Sequence, residues 1–555
     1  MRKLCCFTVI SAAAAFAVLP GAAFGASGTT SVDANPLTGI AAPVIAPSGP
    51  LAPGSALVPR SARHLPHSLL AAAAPATAAP LAAPSTVSNA VSPLLANFNG
   101  TSSRDSAATN FNLEFEPPDQ GLCAGNGFAM DMVNSAYTIY QSNGGVVSGP
   151  FNVNGPFDEG LSEFTSDPRC YYDPTTNTWF AIILFISGGN FGLSPSDTSH
   201  LDIAVNSPNG PTVNGHAGDP TNPWIVYRID TTDLGDNGCP CFGDQPRIGI
   251  DSQNLYVTDD EFSINGPEFN GGEIYAFSKK DLVALNPSVH FVRFPHLSVG
   301  GTTPLAPQPA LTTGNSSAEY FLGSLDPNGT FDQRLALWAM TNTSAVSTGG
   351  TPTLSSQVVT SEAYGVPPGA EQQGATSLLD SGDDRMQQTQ FINGNIWGEL
   401  TTAVTIPGDS GPRAGAAWFS VHPHLSGGKL DTKSKVVGQG YVAVKGRYFI
   451  YPALQLAPDG GAVMVGTLSG NDLFPSATYT TLAPGGSAFG PVQIAARGST
   501  NYDPNATRWG DYSWAVMDPG GKSVWLATEY VPPKSSQTAD GVRNWGTRVM
   551  NVSAP

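Results

Sequence analysis

Four segments of the chain repeat one pattern, in which a short β-rich run meets a tight turn and a second apolar run returns. They are SDPRCYYDPTTNTWFAIILF (166–185), DQPRIGIDSQNLYVTDDEF (244–262), YPALQLAPDGGAVMVGTLSG (451–470) and DYSWAVMDPGGKSVWLATEY (511–530). Their turns fall at Asp173-Pro174, Asp251-Ser252, Pro458-Asp459-Gly460 and Asp518-Pro519-Gly520. Asp, Pro and Gly preset or cap the backbone there, and the flanks hold β-branched and aromatic residues, so each segment predicts a hairpin. Weaker copies run through 126–140, 315–325 and 393–404. The seven hairpins recur about every 66 residues with no helical periodicity between them, a longer repeat than the roughly 40 to 50 residues of compact propeller blades. The pattern predicts an all-β chain, a β-propeller of seven four-stranded blades with long loops; six blades and a stray hairpin is the alternative. An array of β-sandwiches would show separate linkers and turns every 8 to 12 or so residues without this longer recurrence.

The pattern is absent before about residue 95. Residues 1–25 carry Arg2 and Lys3, an apolar stretch from Leu4 to Leu19 and a small-residue end at Ala23, Phe24 and Gly25, the layout of a secretory signal peptide. Residues 26–95 are mostly Ala, Pro, Ser, Gly and Thr, too poor in apolar bulk to offset chain ordering, and predict a disordered, extended linker or pro-segment. The propeller is expected over 96–555. No later stretch reaches the roughly 20 apolar residues that span a bilayer, so a secreted, extracellular or cell-surface protein without an integral membrane segment is expected.

Composition narrows the partners. Gly 62 and Pro 48 favour turns over long helices, and charged residues are 12% of the chain. The net charge of −18 repels phosphate backbones, which argues against nucleic acid. Removing Cys5 and Cys6 with the leader leaves Cys123, Cys170, Cys239 and Cys241, an even number in an oxidising compartment. Disulfides follow, with Cys123 expected to bond Cys170 because both lie beside the opening hairpins of adjacent repeats. A Cys239 to Cys241 bridge would close a tight ring, and C-P-C is the wrong spacing for a zinc ribbon.

The motifs PPDQGLC (117–123), DPRCYYDP (167–174), CFGDQPRIG (241–249), DDRMQQ (383–388) and TRWGDYSWAV (507–516) resemble those of a family of secreted bacterial proteins with propeller-type repeats. The resemblance covers about residues 96–555. It implies fold and export and brings no reaction with it. Its members separate the last two cysteines more widely than C-P-C does, which leaves the Cys239 to Cys241 pairing open. A more distant similarity is to six-bladed sialidases, whose Asp-box places an aromatic five residues after the Asp; here Asp173 to Trp179 is six, with no Gly between.

The chemistry worth following recurs just before the first strand of several repeats, where a carboxylate stands beside an arginine. The positions are Asp167 and Arg169, Asp244 and Arg247, Asp383, Asp384 and Arg385, then Arg508 and Asp511, with Tyr451 in the corresponding place of another repeat. In a propeller the innermost strands surround the channel, so these residues are expected to converge on one funnel or, in the blander reading, to brace neighbouring blades as buried ion pairs. With Trp509, Trp514 and Trp545 as flat faces for sugar rings, the funnel is expected to bind an extracellular carbohydrate or other polyanionic polymer. A surface adhesion or scaffold protein using blade loops competes with this. So does a sialidase-like glycoside hydrolase, in which Arg247, Arg385 and Arg508 clamp a substrate carboxylate, Tyr451 is the nucleophile and Asp511 the acid or its partner. That reading needs a base for Tyr451, supplied by Glu399 or Glu529 from another blade.

No cofactor and no metal site is expected in the funnel. A structural calcium is the one cation weighed, since Asp259-Asp260-Glu261 and the Asp326, Asn328, Asp332 loop carry oxygen ligands; neither keeps the spacing of a dedicated calcium loop, so both otherwise read as solvated turns. His422-Pro-His424 lacks a neighbouring carboxylate in sequence and reads as surface loop.

Overall fold

The computed structural model describes residues 91–555 apart from 114, 189–192, 214, 237, 267, 326–330, 503–507 and 538–542, together with the backbone of two short strands, Thr30–Val32 and Leu37–Gly39. The expected leader 1–25 and most of the segment 26–95 lie outside the described residues. The two short strands add to the outer edges of the third and second repeat units, at Val289–Phe291 and Trp224–Val226. Both strands belong to the Ala/Pro-rich segment expected as a linker or pro-segment.

Among the described residues, apart from those two short strands and a small ribbon of Leu425–Ser426 with Lys429–Leu430, the strands sort into seven four-stranded antiparallel units, and every turn picked out from the sequence joins the first two strands of one unit. The first strands are Gly121–Gly125, Phe164–Asp173, Cys241–Ile250, Leu305–Thr312, Met386–Ile392, Tyr448–Leu456 and Trp514–Met517. Each neighbours the next, and the last neighbours the first, so they form a closed ring. Where the backbones of adjacent first strands meet, at Ile250 with Leu311 and Ala310 with Thr389, they run parallel. This is a β-propeller. The seventh unit is completed from the other end of the chain: Leu94–Ser102 pairs antiparallel with Gly546–Ser553 and closes the ring without covalent help.

The closing joint is specified by polar contacts as well as by the ladder. Asp131, fully buried in the first unit, accepts hydrogen bonds from Thr101 N (2.7 Å) and Thr547 Oγ1 (2.6 Å). Gly100 lies so close that an added Cβ would stand 2.5 Å from the same carboxylate, which is why no larger residue fits there. Between units the core is aliphatic and aromatic, as in the layer of Val463, Val465, Leu526, Met550 and Val552 that packs the sixth unit on the seventh. Burial of such faces against water is what stacks the units into a ring.

Cys123 is bonded to Cys170, and Cys239 to Cys241. The first bridge joins the innermost strands of the first two units, across 47 residues of sequence. No helix among the described residues is long and apolar enough to cross a membrane.

Candidate functional site

One backbone device recurs where the chain enters the innermost strands. Asp119, Asp167, Gln245, Ala306 and Tyr451 all have positive φ, between 44° and 58°, and all but the first precede a proline. In four of the five units the ladder slips at this point, between Ser166 and Arg169, Asp244 and Arg247, Leu305 and Gln308, and Ile450 and Ala453. A bulge of this kind bends its strand and re-aims a side chain, and a left-handed conformation in a non-glycine residue is a strain that tends to gather at functional sites. Proline at the next position cannot donate to the ladder, so it fits the interruption.

The re-aimed side chains meet in the channel. Gln245 is its hub: its Oε1 accepts from Arg385 Nη1 (2.8 Å) and Arg247 Nη2 (3.4 Å), while its Nε2 donates to Asp511 Oδ2 (3.2 Å). Arg247 also donates to Asp260 Oδ2 at 2.6 Å, and Asp260 accepts from the bulged Ala306 N at 3.1 Å. Arg385 forks onto Asp383 through Nε (2.8 Å) and Nη2 (2.7 Å). Arg508 donates to Asp511 at 2.7 Å and lies 3.9 Å from Asp380. Asp119 ties the first unit to the seventh, accepting from Asp511 N at 2.6 Å, and takes a second bond from Asn134 Nδ2 at 2.7 Å. Asn134 Oδ1 in turn accepts from Asp167 N at 2.7 Å.

Sequence reasoning expected Asp167, Asp244, Arg247, Arg385, Arg508, Asp511 and Tyr451 to converge, and the structure brings them to one network. Asp384 is fully buried beside them in the chain. Arg169 departs from its expected partner: its guanidinium carbon sits 3.1 Å above the Tyr512 ring and 4.7 Å from that of Trp514, and it makes no ion pair with Asp167. Burial lowers Arg169 to about 10, chiefly because its charge is shielded from water. Asp119, Gln245 and Asp380 were missed as site residues. The signal that would have found two of them is the residue-before-proline at one place in four of the repeats, together with the Pro-Pro-Asp-Gln that stands there in the first.

The electrostatics are lopsided. Seven aspartates of the network, Asp119, Asp167, Asp244, Asp260, Asp380, Asp383 and Asp511, stand with four arginines, Arg169, Arg247, Arg385 and Arg508. Burial, then the charges of Asp244 and Asp511, push Asp167 up to about 8. Burial pushes Asp244 up to about 7 against the pull of Arg385. Asp119 is raised for the same reasons, by burial first and then by Asp511 and Asp167. A surplus of buried carboxylates repels anions, and three of the four guanidinium groups are already committed to carboxylates of the chain itself. A clamp for a substrate carboxylate would have to break those pairs.

Trp509, Trp514 and Trp545 are at most 1% exposed, so no indole face is offered to a sugar ring. Trp545 Nε1 donates to Phe115 O at 2.6 Å and Trp509 packs edge-on against Tyr502, as core residues do. Burial holds Tyr451 as a neutral phenol well above its ordinary range, and the carboxylates whose charges bear on it are Asp380, Asp511 and Asp119 in place of Glu399 or Glu529. Glu399 and Glu529 are themselves buried, and Glu529 Oε2 accepts from Gly510 N at 2.6 Å. Asp259-Asp260-Glu261 is no solvated turn. It lies in the buried strand Asn254–Ser263, with Asp260 on Arg247 and Glu261 near Arg293 (3.6 Å). Asp332 pairs with Arg334 at 2.6 Å, while Asp326 and Asn328 lie outside the described residues. His422 is on the surface as expected, and His424 has a carboxylate neighbour after all, Asp431 at 3.0 Å.

No family model and no characterised protein sequence matches the chain. Among solved structures it is similar to the hemagglutinin-neuraminidase ectodomain of parainfluenza virus 5, with 10% identity, a TM-score of 0.34, and coverage of 70% of this chain and 80% of that one. It is also similar to an exo-β-1,3-galactanase from Clostridium thermocellum (10% identity, TM-score 0.30, 82% and 96% covered) and to the Dos1 propeller (9% identity, TM-score 0.36, 86% and 94% covered). The assignment as a β-propeller rests on the chain's own strand pairing and ring closure.

Proposed function

We propose that the channel network is a binding site for a small, neutral, hydroxyl-rich group, such as the end of an extracellular carbohydrate chain. The observation that carries this is a mixed set of buried polar atoms without a protein partner. The acceptors are Asp167 Oδ2 and Asp244 Oδ1, the donors Arg169 Nε and Nη1 and Arg247 Nη1, and Tyr451 Oη can do either. Buried polar groups are normally satisfied, and a sugar hydroxyl, which donates and accepts at once, suits both kinds. The acidic surplus favours a neutral ligand over the polyanion that the arginines alone suggested. Solvent reaches the network beside Arg508 and Asp380, whose side chains are each 15% exposed, so the site admits an end group in preference to a threaded polymer. A glycan array probed with the full chain tests this. Binding to a defined set of glycans, lost when Arg247→Ala and Arg508→Ala are combined, is the expected result; unchanged binding in the double variant, or no glycan bound by the native protein, would overturn it.

A hydrolase reading has one observation in its favour. Asp167 and Asp244, pushed up to about 8 and about 7, carry a proton near neutral pH as a general acid must. Its sialidase form lacks an activated nucleophile, because Tyr451 stays protonated. Release of reducing sugar from any glycan bound on the array, abolished by Asp244→Asn, is the result that would favour turnover over binding.

A further inference from the structure

We propose that Asp119, Asp167 and Asp511 together hold a divalent cation of the calcium class where the first, second and seventh units meet at the channel. One carboxylate oxygen of each lies within 4.8 Å of the other two, although Asp119 and Asp511 are 392 residues apart in sequence. Oxygen ligands at the 2.3–2.6 Å of calcium lie roughly 3.3 Å apart when adjacent and about 5 Å apart across the ion. The trio fits inside that shell. Three carboxylates with no imidazole or thiolate among them select a hard cation over zinc.

Charge balance and burial point the same way. Among the described residues neither Asp119 nor Asp167 makes an ion pair; only Asp511 has an arginine, Arg508. The arginine nearest to Asp167 in sequence, Arg169, is turned onto Tyr512 and Trp514 instead. Asp167 is 2% exposed, and its Oδ2 has no protein partner. Asp244, whose charge bears most strongly on Asp167, likewise leaves Oδ1 without one. Three buried carboxylates at this spacing cannot all stay ionised unaided, and what neutralises them is either protons or a cation. The inference does not depend on the carbohydrate reading, since the probe is the metal alone.

The test uses the full chain, freed of metal by chelator and titrated with calcium by calorimetry at neutral pH. A parallel titration follows terbium luminescence sensitised by the neighbouring Tyr512 and Trp514. The expected result is about one calcium per chain, displaced by terbium at the same site, with affinity weakened by more than about tenfold in Asp119→Asn and in Asp167→Asn. An Asp472→Asn control, on an exposed carboxylate paired with Arg447, should bind as the native chain does. Absence of binding in the native chain, or equal affinity in the two channel variants, would overturn the proposal. Should either variant fail to fold, crystals of the native chain grown with manganese decide it: an anomalous peak between the three carboxylates supports the site, and its absence there refutes it.

Discussion

The two sides of the channel solve the problem of buried charge in opposite ways. On the side built by the third and fifth units, Arg247 and Arg385 meet Asp260 and Asp383 in close, geometrically matched pairs, with Gln245 bridging the two. On the side built by the seventh, first and second units, Asp119 and Asp167 stand beside Asp511 with backbone and amide donors; Arg508 pairs with Asp511, and Arg169, whose charge also reaches Asp167 and Asp119, is stacked on Tyr512 and Trp514. The first arrangement is the bracing expected of buried ion pairs. The second is a surplus of charge that bracing does not explain, and that the fold must hold by other means. One such means is covalent: the Cys123–Cys170 bridge joins the strands that follow Asp119 and contain Asp167. A ring can therefore be symmetric in its strands and asymmetric in its chemistry, and the asymmetric part is the better pointer to function.

This contrast can be broken most forcefully on the paired side. Asp383→Ala strips Arg385 of its bidentate partner and leaves a buried guanidinium with Gln245 and a carboxylate 4.0 Å away. A loss of about 3–5 kcal/mol in denaturant unfolding is expected. On the acidic side, replacing Cys123 and Cys170 together by Ala removes a cross-link over 47 residues and should cost about 2–4 kcal/mol by the same measurement. The effect should fall on the binding of calcium as well, because the strand that follows Asp119 and the strand that contains Asp167 lose their tie.

The closing joint gives a smaller, pH-dependent effect. Burial pushes Asp131 up to about 6 in spite of its bonds to Thr101 and Thr547. Its folded value lies above the unfolded one, so the folded state binds the extra proton between about pH 4 and 6, and stability falls as pH rises through that window. The contribution should be about 1–3 kcal/mol, and Asp131→Asn should flatten that part of the profile. Urea midpoints measured from pH 4 to 8 check the sign; a native profile that rises across the window would contradict it.

The hairpins were legible because their signals are local. Asp-Pro, Pro-Asp-Gly and Asn-Gly turns between apolar runs need nothing from distant residues, and all seven fell where the strands turn. The recurrent Asp and Arg positions were legible as a set for the same reason, since each holds a fixed place relative to its hairpin. What the sequence withheld was the pairing across units. Asp119 stood inside a conspicuous motif, yet its partners at Asp511 and Asp167 come from other turns of the ring. The tryptophans misled because an indole reads alike in a core and in a sugar site; only the backbone acceptor at Phe115 and the packing of Tyr502 mark Trp545 and Trp509 as core. Asp259-Asp260-Glu261 misled because three consecutive carboxylates in a buried strand are tolerable only when arginines arrive from elsewhere, here Arg247 and Arg293.

The most direct test of the contrast sets one side against the other in a single experiment. Asp383→Asn and Asp167→Asn are isosteric changes that each remove one channel carboxylate. Their unfolding midpoints at pH 9, with chelator present, should move in opposite directions relative to the native chain. Asp383→Asn breaks a matched pair and should lower the midpoint, whereas Asp167, kept protonated by the fold up to about pH 8, is charged at full cost at pH 9, so Asp167→Asn should raise it. If both midpoints fall by similar amounts, the two sides are alike and the account of an acidic half poised for a ligand is wrong.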